Sequence, residues 1–202
     1  MAFHFKIHQQ STYSRSHLLL RTFFGWFYIV LPHLFLLFFV NIWGAFLLFL
    51  SFWTILFTGK YPRSWFEYQV KLIRWELRLN AVILNLSDDY PPFGLDAEYP
   101  PVEFNIDHPE HVSRSSVLLR ALFGALYVGI PHGFLLMFRI FFVQILMFLA
   151  WWAVLFTGEY PKSWFEWAEG TLRWDARVNC YLMFLTQDYP PFTGEIVGGE
   201  NA

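Results

Sequence analysis

Two long apolar runs dominate the chain, at 18–57 and 117–156, and few polar side chains interrupt either of them. Each run is about 40 residues long and as a helix would extend roughly 60 Å, whereas the hydrocarbon core of a bilayer is about 30 Å thick. This length predicts two membrane crossings per run, so we interpret each run as a transmembrane helical hairpin. A soluble protein with a large buried core is the competing interpretation, and two uninterrupted runs of this length argue against it.

The position of the turn within the first run has two solutions. Pro32 kinks a first helix that continues to about Val40, with the turn near Asn41 to Gly44, or Pro32 opens the second helix and leaves a short first one. The segment 38–43 lacks the polar residues of an exposed loop. The tip of the hairpin could therefore also stop inside the bilayer or under a partner subunit.

A second kind of helical pattern follows each run, at about 64–86 and about 163–185. In the first copy the polar residues recur at helical spacing in one narrow stripe, which contains Glu67, Lys71, Arg74, Arg78 and Asn85. The second copy keeps this stripe more weakly, with Arg173 and Arg177 as its basic residues. The remaining circumference is largely apolar, so the pattern predicts an amphipathic helix lying in the membrane interface. Tryptophan rings favour headgroup depth, and those of the two copies are Trp65, Trp75, Trp164 and Trp174.

Short alternating segments precede each apolar run. Apolar and polar residues alternate from 3 to 8 and again from 102 to 107. Period-two alternation is typical of β-strands, and these two short strands could pair with each other over the membrane surface. Ser14 and Ser113 stand before the apolar runs as expected helix N-caps, and Gly59 suits the left-handed C-cap of a helix.

The chain is a tandem duplication. Residues 58–67 read Thr-Gly-Lys-Tyr-Pro-Arg-Ser-Trp-Phe-Glu, and residues 157–166 read Thr-Gly-Glu-Tyr-Pro-Lys-Ser-Trp-Phe-Glu. The match between the two copies extends upstream of these segments without a gap. We therefore divide the chain into repeat 1 (1–93), an acidic and proline-rich linker (94–111), repeat 2 (112–192) and a flexible tail (193–202).

Composition and charge agree with a membrane protein. Hydrophobic residues make up 56% of the chain and aromatic residues 22%, which is far above the soluble average. The net charge of −2 gives no case for binding nucleic acid, and the single Cys180 permits no intramolecular disulfide. Most basic residues flank the open ends of the predicted hairpins. The positive-inside rule therefore places both termini and the linker in the cytoplasm.

Four motifs occur in both repeats. They are Pro-His within the apolar run, Leu-Phe-Thr-Gly-x-Tyr-Pro-(Arg/Lys)-Ser-Trp-Phe, Arg-Trp-x-x-Arg-x-Asn and Asp-Tyr-Pro-Pro-Phe. With these motifs, the chain resembles over nearly its whole length a family of bacterial membrane proteins known as domain-of-unknown-function family 4389. The resemblance implies a helical integral membrane protein, often with this unit duplicated. We therefore expect a multi-pass protein of the bacterial cytoplasmic membrane. It implies no activity, substrate or catalytic residue.

Few residues offer chemistry. His33 and His132 lie at equivalent places in the two apolar runs, and two histidines on facing helices can bind a haem iron axially. Each histidine could equally donate a hydrogen bond to a carbonyl that the neighbouring proline frees. Arg139, near the second hairpin tip, could extend to the far surface, bind a lipid phosphate or pair with a partner subunit. We expect no metal and no resident cofactor.

The polar residues of the amphipathic helices suggest two further roles. Arg74, Arg78, Arg173 and Arg177 would form a cytoplasmic basic rim that contacts anionic headgroups or a partner. A second polar line contains Glu76 with Asn80 in repeat 1 and Asp175 with Asn179 in repeat 2. The two carboxylates need partners at membrane depth, and Arg21, Arg120 or each other are the candidates; solvation at the headgroup surface is the alternative.

The sequence shows no nucleophile and base pair, phosphate-binding loop or paired carboxylates, so we expect no enzyme. The leading hypothesis is a non-catalytic membrane protein that acts as an accessory, scaffold or assembly subunit of a larger membrane complex, in contact with lipid and other subunits. A transporter or lipid-handling protein with a path between the repeats is the alternative, and a haem-binding electron carrier is a third.

Overall fold

The computed structural model describes residues 3–197, and most of them are helical. In repeat 1, strand β1 (Phe3–Ile7) precedes helix α1 (Arg15–Gly25), a π-helical turn (Trp26–Val30), helix α2 (Leu31–Thr58) and helix α3 (Arg63–Ile83). In repeat 2, strand β2 (Val102–Ile106) precedes α4 (Arg114–Gly124), a π-helical turn (Ala125–Gly129), α5 (Ile130–Thr157) and α6 (Lys162–Leu182). The same four-part helical unit therefore occurs twice.

The predicted helical hairpins are wrong, because each apolar run forms one continuous helix. Long helix 1 extends over Arg15–Thr58 and long helix 2 over Arg114–Thr157, each with 44 residues. Neither helix turns back at the predicted tip. Asn41 and Gly44 instead contact α3: the Asn41 amide donates to Glu76 at 3.1 Å, and Gly44 lets the Leu72 side chain approach closely.

Pro32 bends long helix 1 without ending it. The backbone before the proline widens into a π-helical turn, in which the Leu31 amide donates to the Trp26 carbonyl. This wider turn makes room for the proline ring, which would otherwise clash with the preceding turn of an α-helix. Neither of the two turn positions expected from the sequence is therefore used.

The two long helices lie antiparallel, and each end of one meets the opposite end of the other. The Tyr13 amide donates to the Gly158 carbonyl at 2.8 Å, and the Val112 amide donates to the Gly59 carbonyl at 2.9 Å. Gly59 has φ 74° and caps its helix in the left-handed conformation, as expected. The predicted N-cap of Ser14 is also confirmed, because its side chain accepts from the His17 amide.

Helices α3 and α6 form the middle layer of the molecule. Helix α3 packs on α2 from one side and against β2 from the other, while α6 packs on α5 and β1. Arg78, on the expected polar edge of α3, is completely buried. The polar stripe of α3 therefore faces the strands and loops of the protein itself, and the location of α3 and α6 in the membrane interface stays a prediction.

The expected strand pairing is confirmed. Strands β1 and β2 form an antiparallel ladder in which Phe5 pairs with Phe104 and Lys6 with Glu103. Every second residue is buried against α3 and α6, and the alternate residues face outward. Strand β1 of repeat 1 covers α6 of repeat 2, and strand β2 of repeat 2 covers α3 of repeat 1, so the two units share one core.

The linker and the start of the tail are bound to the core. Lys71 pairs with Asp96 of the linker at 2.5 Å, and the Arg173 guanidinium donates to the Gly194 carbonyl at 2.8 Å. The glycine pair that favoured a flexible tail, Gly198 and Gly199, lies outside the described residues.

Candidate functional site

The shared motifs of repeat 1 meet where long helix 1 bends. Pro32 has no amide hydrogen, so the Tyr28 carbonyl four residues earlier loses its normal helical donor. The Tyr90 hydroxyl donates to this carbonyl at 3.0 Å. The Asp-Tyr-Pro-Pro-Phe segment thus replaces the hydrogen bond that the proline removes.

His33 lies beside the proline and is completely buried. The Trp75 indole donates to its Nδ1 at 2.9 Å, and the Phe93 ring stacks on the imidazole with centroids 4.2 Å apart. Because Nδ1 accepts, the proton of the neutral ring is on Nε2. Nε2 is buried near the Pro91 carbonyl but makes no well-formed hydrogen bond with the described residues.

Repeat 2 builds the same site. The Trp174 indole donates to His132 Nδ1 at 2.9 Å, and Phe192 stacks on the imidazole at 3.9 Å. The Tyr189 hydroxyl lies 3.1 Å from the Tyr127 carbonyl and 3.2 Å from His132 Nε2. Tyr189 can therefore donate to the freed carbonyl and accept from the histidine.

We call each of these clusters a bend site. In both, the histidine is enclosed by rings of its own repeat, so the described side chains leave no open coordination position for a haem iron and bring no second histidine to it. The sequence suggested that the histidine donates to the carbonyl freed by the proline, but the tyrosine hydroxyl makes that hydrogen bond. The absence of an amide at Pro32 was the signal that a donor is needed, and nothing in the sequence pattern specified which residue supplies it.

The basic residues of the predicted rim bind backbone carbonyls inside the protein. Arg78 donates to the Gly94 carbonyl at 2.7 Å and to the Ala97 carbonyl. Arg177, its equivalent in repeat 2, donates to the Thr193 carbonyl at 2.8 Å. Burial lowers the pKa of Arg78, but an arginine remains charged, and its carbonyl partners spread that charge. These two side chains hold the segment after each Pro-Pro-Phe motif.

The other two arginines of the rim reach the strands. Arg74 donates to the Phe104 carbonyl at 2.9 Å, and Arg173 donates to the equivalent Phe5 carbonyl at 3.4 Å. Arg173 also pairs with Glu169 at 2.9 Å. Trp65 and Trp164 are half-buried against the core. The four arginines of the predicted rim therefore bind carbonyls of this chain in the folded protein instead of facing lipid.

Glu76 and Asp175 lie near each other in the middle layer. The Asn41 amide donates to Glu76, and the Asn179 amide donates to Asp175, both at 3.1 Å. Asn80 instead donates to the Glu76 backbone carbonyl at 2.9 Å. Burial raises the pKa of both carboxyl groups, and the negative charge of Asp175 raises that of Glu76 further.

The arginines expected to neutralise these carboxylates have other partners. Arg21 bonds Asn85 at 2.9 Å and pairs with Asp88 at 3.3 Å. Arg120 donates to the Tyr181 and Thr186 carbonyls at 2.8 and 2.6 Å. Each of them thus ties the start of its long helix to the loop that follows α3 or α6.

Arg139 packs against α6 of its own repeat. Its Nε donates to the Thr171 hydroxyl at 2.8 Å, and its guanidinium lies 4.2 Å from the centre of the Trp167 ring. Gly170 provides the space, since a Cβ there would lie 3.0 Å from the guanidinium. Repeat 1 has Lys71 in place of Gly170. The cation beside the segment after Pro-Pro-Phe is therefore Lys71 of α3 in repeat 1 and Arg139 of α5 in repeat 2.

A cavity of about 510 Å³ lies between the repeats, at the start of long helix 1 and the end of long helix 2. Its lining is mainly apolar and includes Phe23, Met147 and Trp151, with Arg21 and Asn85 as polar groups. Repeat 2 has Phe184 in place of Asn85, and that ring packs against Phe52 with centroids 6.4 Å apart. The sequence alignment of the repeats contained this difference but did not indicate a cavity.

Within residues 3–197, no group of three or more histidine, cysteine, aspartate or glutamate side chains could hold a metal ion.

A family model described as Domain of unknown function (DUF4389) matches the chain twice, over residues 15–94 and 114–194, which confirms the tandem duplication. No curated protein and no solved structure matches the chain.

Proposed function

The chain belongs to the DUF4389 family in both of its halves, and from this premise we propose that it is a non-catalytic membrane protein that serves as an accessory or scaffold subunit of a larger membrane complex. The family description names no activity, so the proposal rests on the geometry. The observation that carries it is the surface of the two long helices.

That surface is apolar and unusually large. The most apolar 18-residue windows of the two long helices have mean hydropathies of 2.3 and 2.2, and only 22% and 17% of these windows are buried in the protein. Phe57 is 70% exposed and Phe156 71%. A soluble monomer rarely exposes so continuous an apolar surface, whereas a bilayer or a membrane-embedded partner would cover it.

The internal contacts support a structural role. The buried arginines donate to carbonyls of this chain, the histidines are enclosed at the bend sites, and the two buried carboxylates accept from asparagine. A catalytic or transport site needs polar groups that face a substrate. Here the candidate groups stabilise the protein's own loops and helices.

For the location, we propose the bacterial cytoplasmic membrane, with the polar side of the protein in the cytoplasm. Exposed basic residues at the ends of the long helices, among them Lys60, Arg63 and Lys162, support attraction to anionic headgroups. We propose a bacterial membrane because the motifs of both repeats resemble those of a family of bacterial membrane proteins.

The test is purification from the native membrane in mild detergent or nanodiscs, followed by mass spectrometry of the proteins that co-purify. Stoichiometric partner subunits are the expected result. An alkaline carbonate wash that releases the chain from membranes would refute membrane embedding, and a chain recovered from the membrane without any protein partner would refute the subunit role.

The cavity between the repeats supports a second function, the binding of a single lipid acyl chain. The apolar lining suits a hydrocarbon tail, and the Asn85 amide can donate to an ester carbonyl. Asn85→Phe copies the residue of repeat 2, where Phe184 adopts the same left-handed backbone (φ 63° against 59°), so the fold accommodates a phenylalanine in this conformation and the ring should fill the cavity. Native mass spectrometry should show loss of a bound lipid in Asn85→Phe and its retention in Asn85→Gly.

A further inference from the structure

The apolar face of long helix 1 is longer than a membrane is thick. From the proline onward, an exposed line on this face runs through Leu31, Phe35, Phe38, Ile42, Phe49 and Phe57. The segment from Leu31 to Phe57 is helical throughout and extends about 39 Å at 1.5 Å per residue, whereas the hydrocarbon core is about 30 Å thick. A helix perpendicular to the bilayer would leave part of this face in water.

The rest of the protein follows long helix 1 along its whole length. Near the start of the helix, Arg21 bonds Asn85 of the loop after α3 at 2.9 Å. In the middle, the Gln69 amide donates to the Gly44 carbonyl at 2.6 Å. At the end, the Gly59 carbonyl accepts from the Val112 amide at 2.9 Å. The start and the centre of the helix are therefore fixed to α3 and the loop that follows it, and the end is fixed to the segment that begins long helix 2.

The middle layer continues into a polar surface on the side away from the long helices. The strands direct Lys6, Glu103 and Asn105 outward, and Glu103 accepts hydrogen bonds from His4 and His8 at 2.8 and 2.6 Å. Exposed charges such as these are not tolerated in hydrocarbon. A crossing helix would carry this surface into the bilayer.

We infer that the two long helices lie in the plane of the membrane, within one leaflet, and that the protein does not cross the bilayer. This inference rests on the membrane embedding proposed above and replaces the multi-pass topology expected from the sequence. A helix about 10–12 Å in diameter fits within one leaflet, which is about half of the 30 Å core. The occupant of the apolar face is thus the acyl region of a single leaflet.

The charge distribution fits this orientation. Exposed basic residues occur at both ends of the antiparallel pair: Lys60, Arg63 and Arg114 at one end, and Arg15 and Lys162 at the other. The close approach of the ends brings the residues of each group together; the Arg15 guanidinium, for example, donates to the Phe156 carbonyl at 3.0 Å. Ends that lie at the same height can both contact anionic headgroups of one leaflet.

The test measures depth along the helix. Single cysteines replace Leu31, Ile42 and Phe57, each is labelled with a nitroxide, and the protein is reconstituted in vesicles of phosphatidylethanolamine and phosphatidylglycerol. The accessibility of each label to oxygen and to a water-soluble nickel complex reports its depth. The native Cys180 is completely buried and burial raises the pKa of its thiol, so unsubstituted protein is the labelling control.

The equivalent positions of long helix 2, Ile130, Phe141 and Phe156, are a matched second set, and a label at Lys6 marks the polar side. The inference expects the three depths in each helix to agree within about one helical turn, roughly 5 Å, all short of the bilayer centre, with Lys6 in water. Depths that change steadily along the helix and pass the bilayer centre would overturn it while retaining membrane embedding. Labels that all report water would overturn both proposals.

Discussion

Replacing Tyr90 by phenylalanine tests whether the bend of long helix 1 is held as the geometry indicates. The change removes only the hydroxyl that donates to the Tyr28 carbonyl at 3.0 Å. A polar group left without its partner costs about 1–3 kcal/mol when buried. Tyr90 is 43% exposed, so we expect a loss at the lower end of that range, about 1–1.5 kcal/mol. In a chain of this size this corresponds to a fall of about 2–6 °C in Tm.

A double-mutant cycle isolates the cause of this loss. Pro32→Ala restores an amide at position 32, which can donate to the Tyr28 carbonyl in a regular helix. The carbonyl then no longer depends on the Tyr90 hydroxyl. We therefore expect Tyr90→Phe to cost about 0.5 kcal/mol or less in the Pro32→Ala background, a coupling of about 0.5–1 kcal/mol.

The assay is reversible unfolding in mixed micelles, followed by the fluorescence of the ten tryptophans. Wild type, both single variants and the double variant are compared at the same detergent composition. Equal costs of Tyr90→Phe with and without Pro32 would refute the assignment of the tyrosine as the replacement donor.

Three other predictions concern stability and use the same unfolding assay. Tyr189→Phe should cost more than Tyr90→Phe, because the Tyr189 hydroxyl also contacts His132, and an equal loss would contradict this. Burial raises the pKa of the Glu76 carboxyl above its ordinary 4.5, so ionisation should reduce stability as pH rises from 4.5 through the folded value; Glu76→Gln should be more stable at neutral pH and show a weaker dependence, because the buried Asp175 carboxyl retains its own. Gly44→Ala should destabilise by about 1–3 kcal/mol, because its Cβ would lie 2.9 Å from Leu72, whereas the control Gly133→Ala, with nothing within 4 Å, should stabilise by about 0.5–1 kcal/mol.

Much of the local structure could be predicted from the sequence because it follows from local chemistry. The serine N-caps, the left-handed Gly59 and the alternation in the strands each depend on a few neighbouring residues. The duplication was recognised because equivalent motifs lie the same number of residues apart throughout the two repeats, and it also indicated that the two strands could pair. These features need no knowledge of how the helices pack.

The hairpins were wrong because the prediction compared the length of an apolar run only with the thickness of a membrane. A run of this length can cross twice or lie flat, and hydrophobicity is the same in both cases. Gly44 was taken as a turn residue, although a glycine inside a helix equally permits close packing, here with Leu72 of α3. The lack of polar turn residues at 38–43 was the signal that favoured a continuous helix.

The bend sites were not predicted because their parts are distant in sequence. His33, Trp75 and Phe93 belong to three separate motifs, and only the packing of α3 on α2 brings them together. The arginines were misassigned for a related reason. A charged stripe on an apolar helix is usually solvated, and here it faces the carbonyls of a loop and a strand from the same chain.

The exchange of strands explains why two units occur in one chain. Strand β1 covers α6 and strand β2 covers α3, while each long helix pairs at both ends with the long helix of the other unit. A single unit would expose the apolar face of its middle helix where the strand of the other unit now lies, and its own strand would lose the strand with which it pairs. The second unit also provides the opposite end at which each long helix is fixed. Because the ends of the two long helices are fixed to each other, their apolar faces remain side by side as one surface.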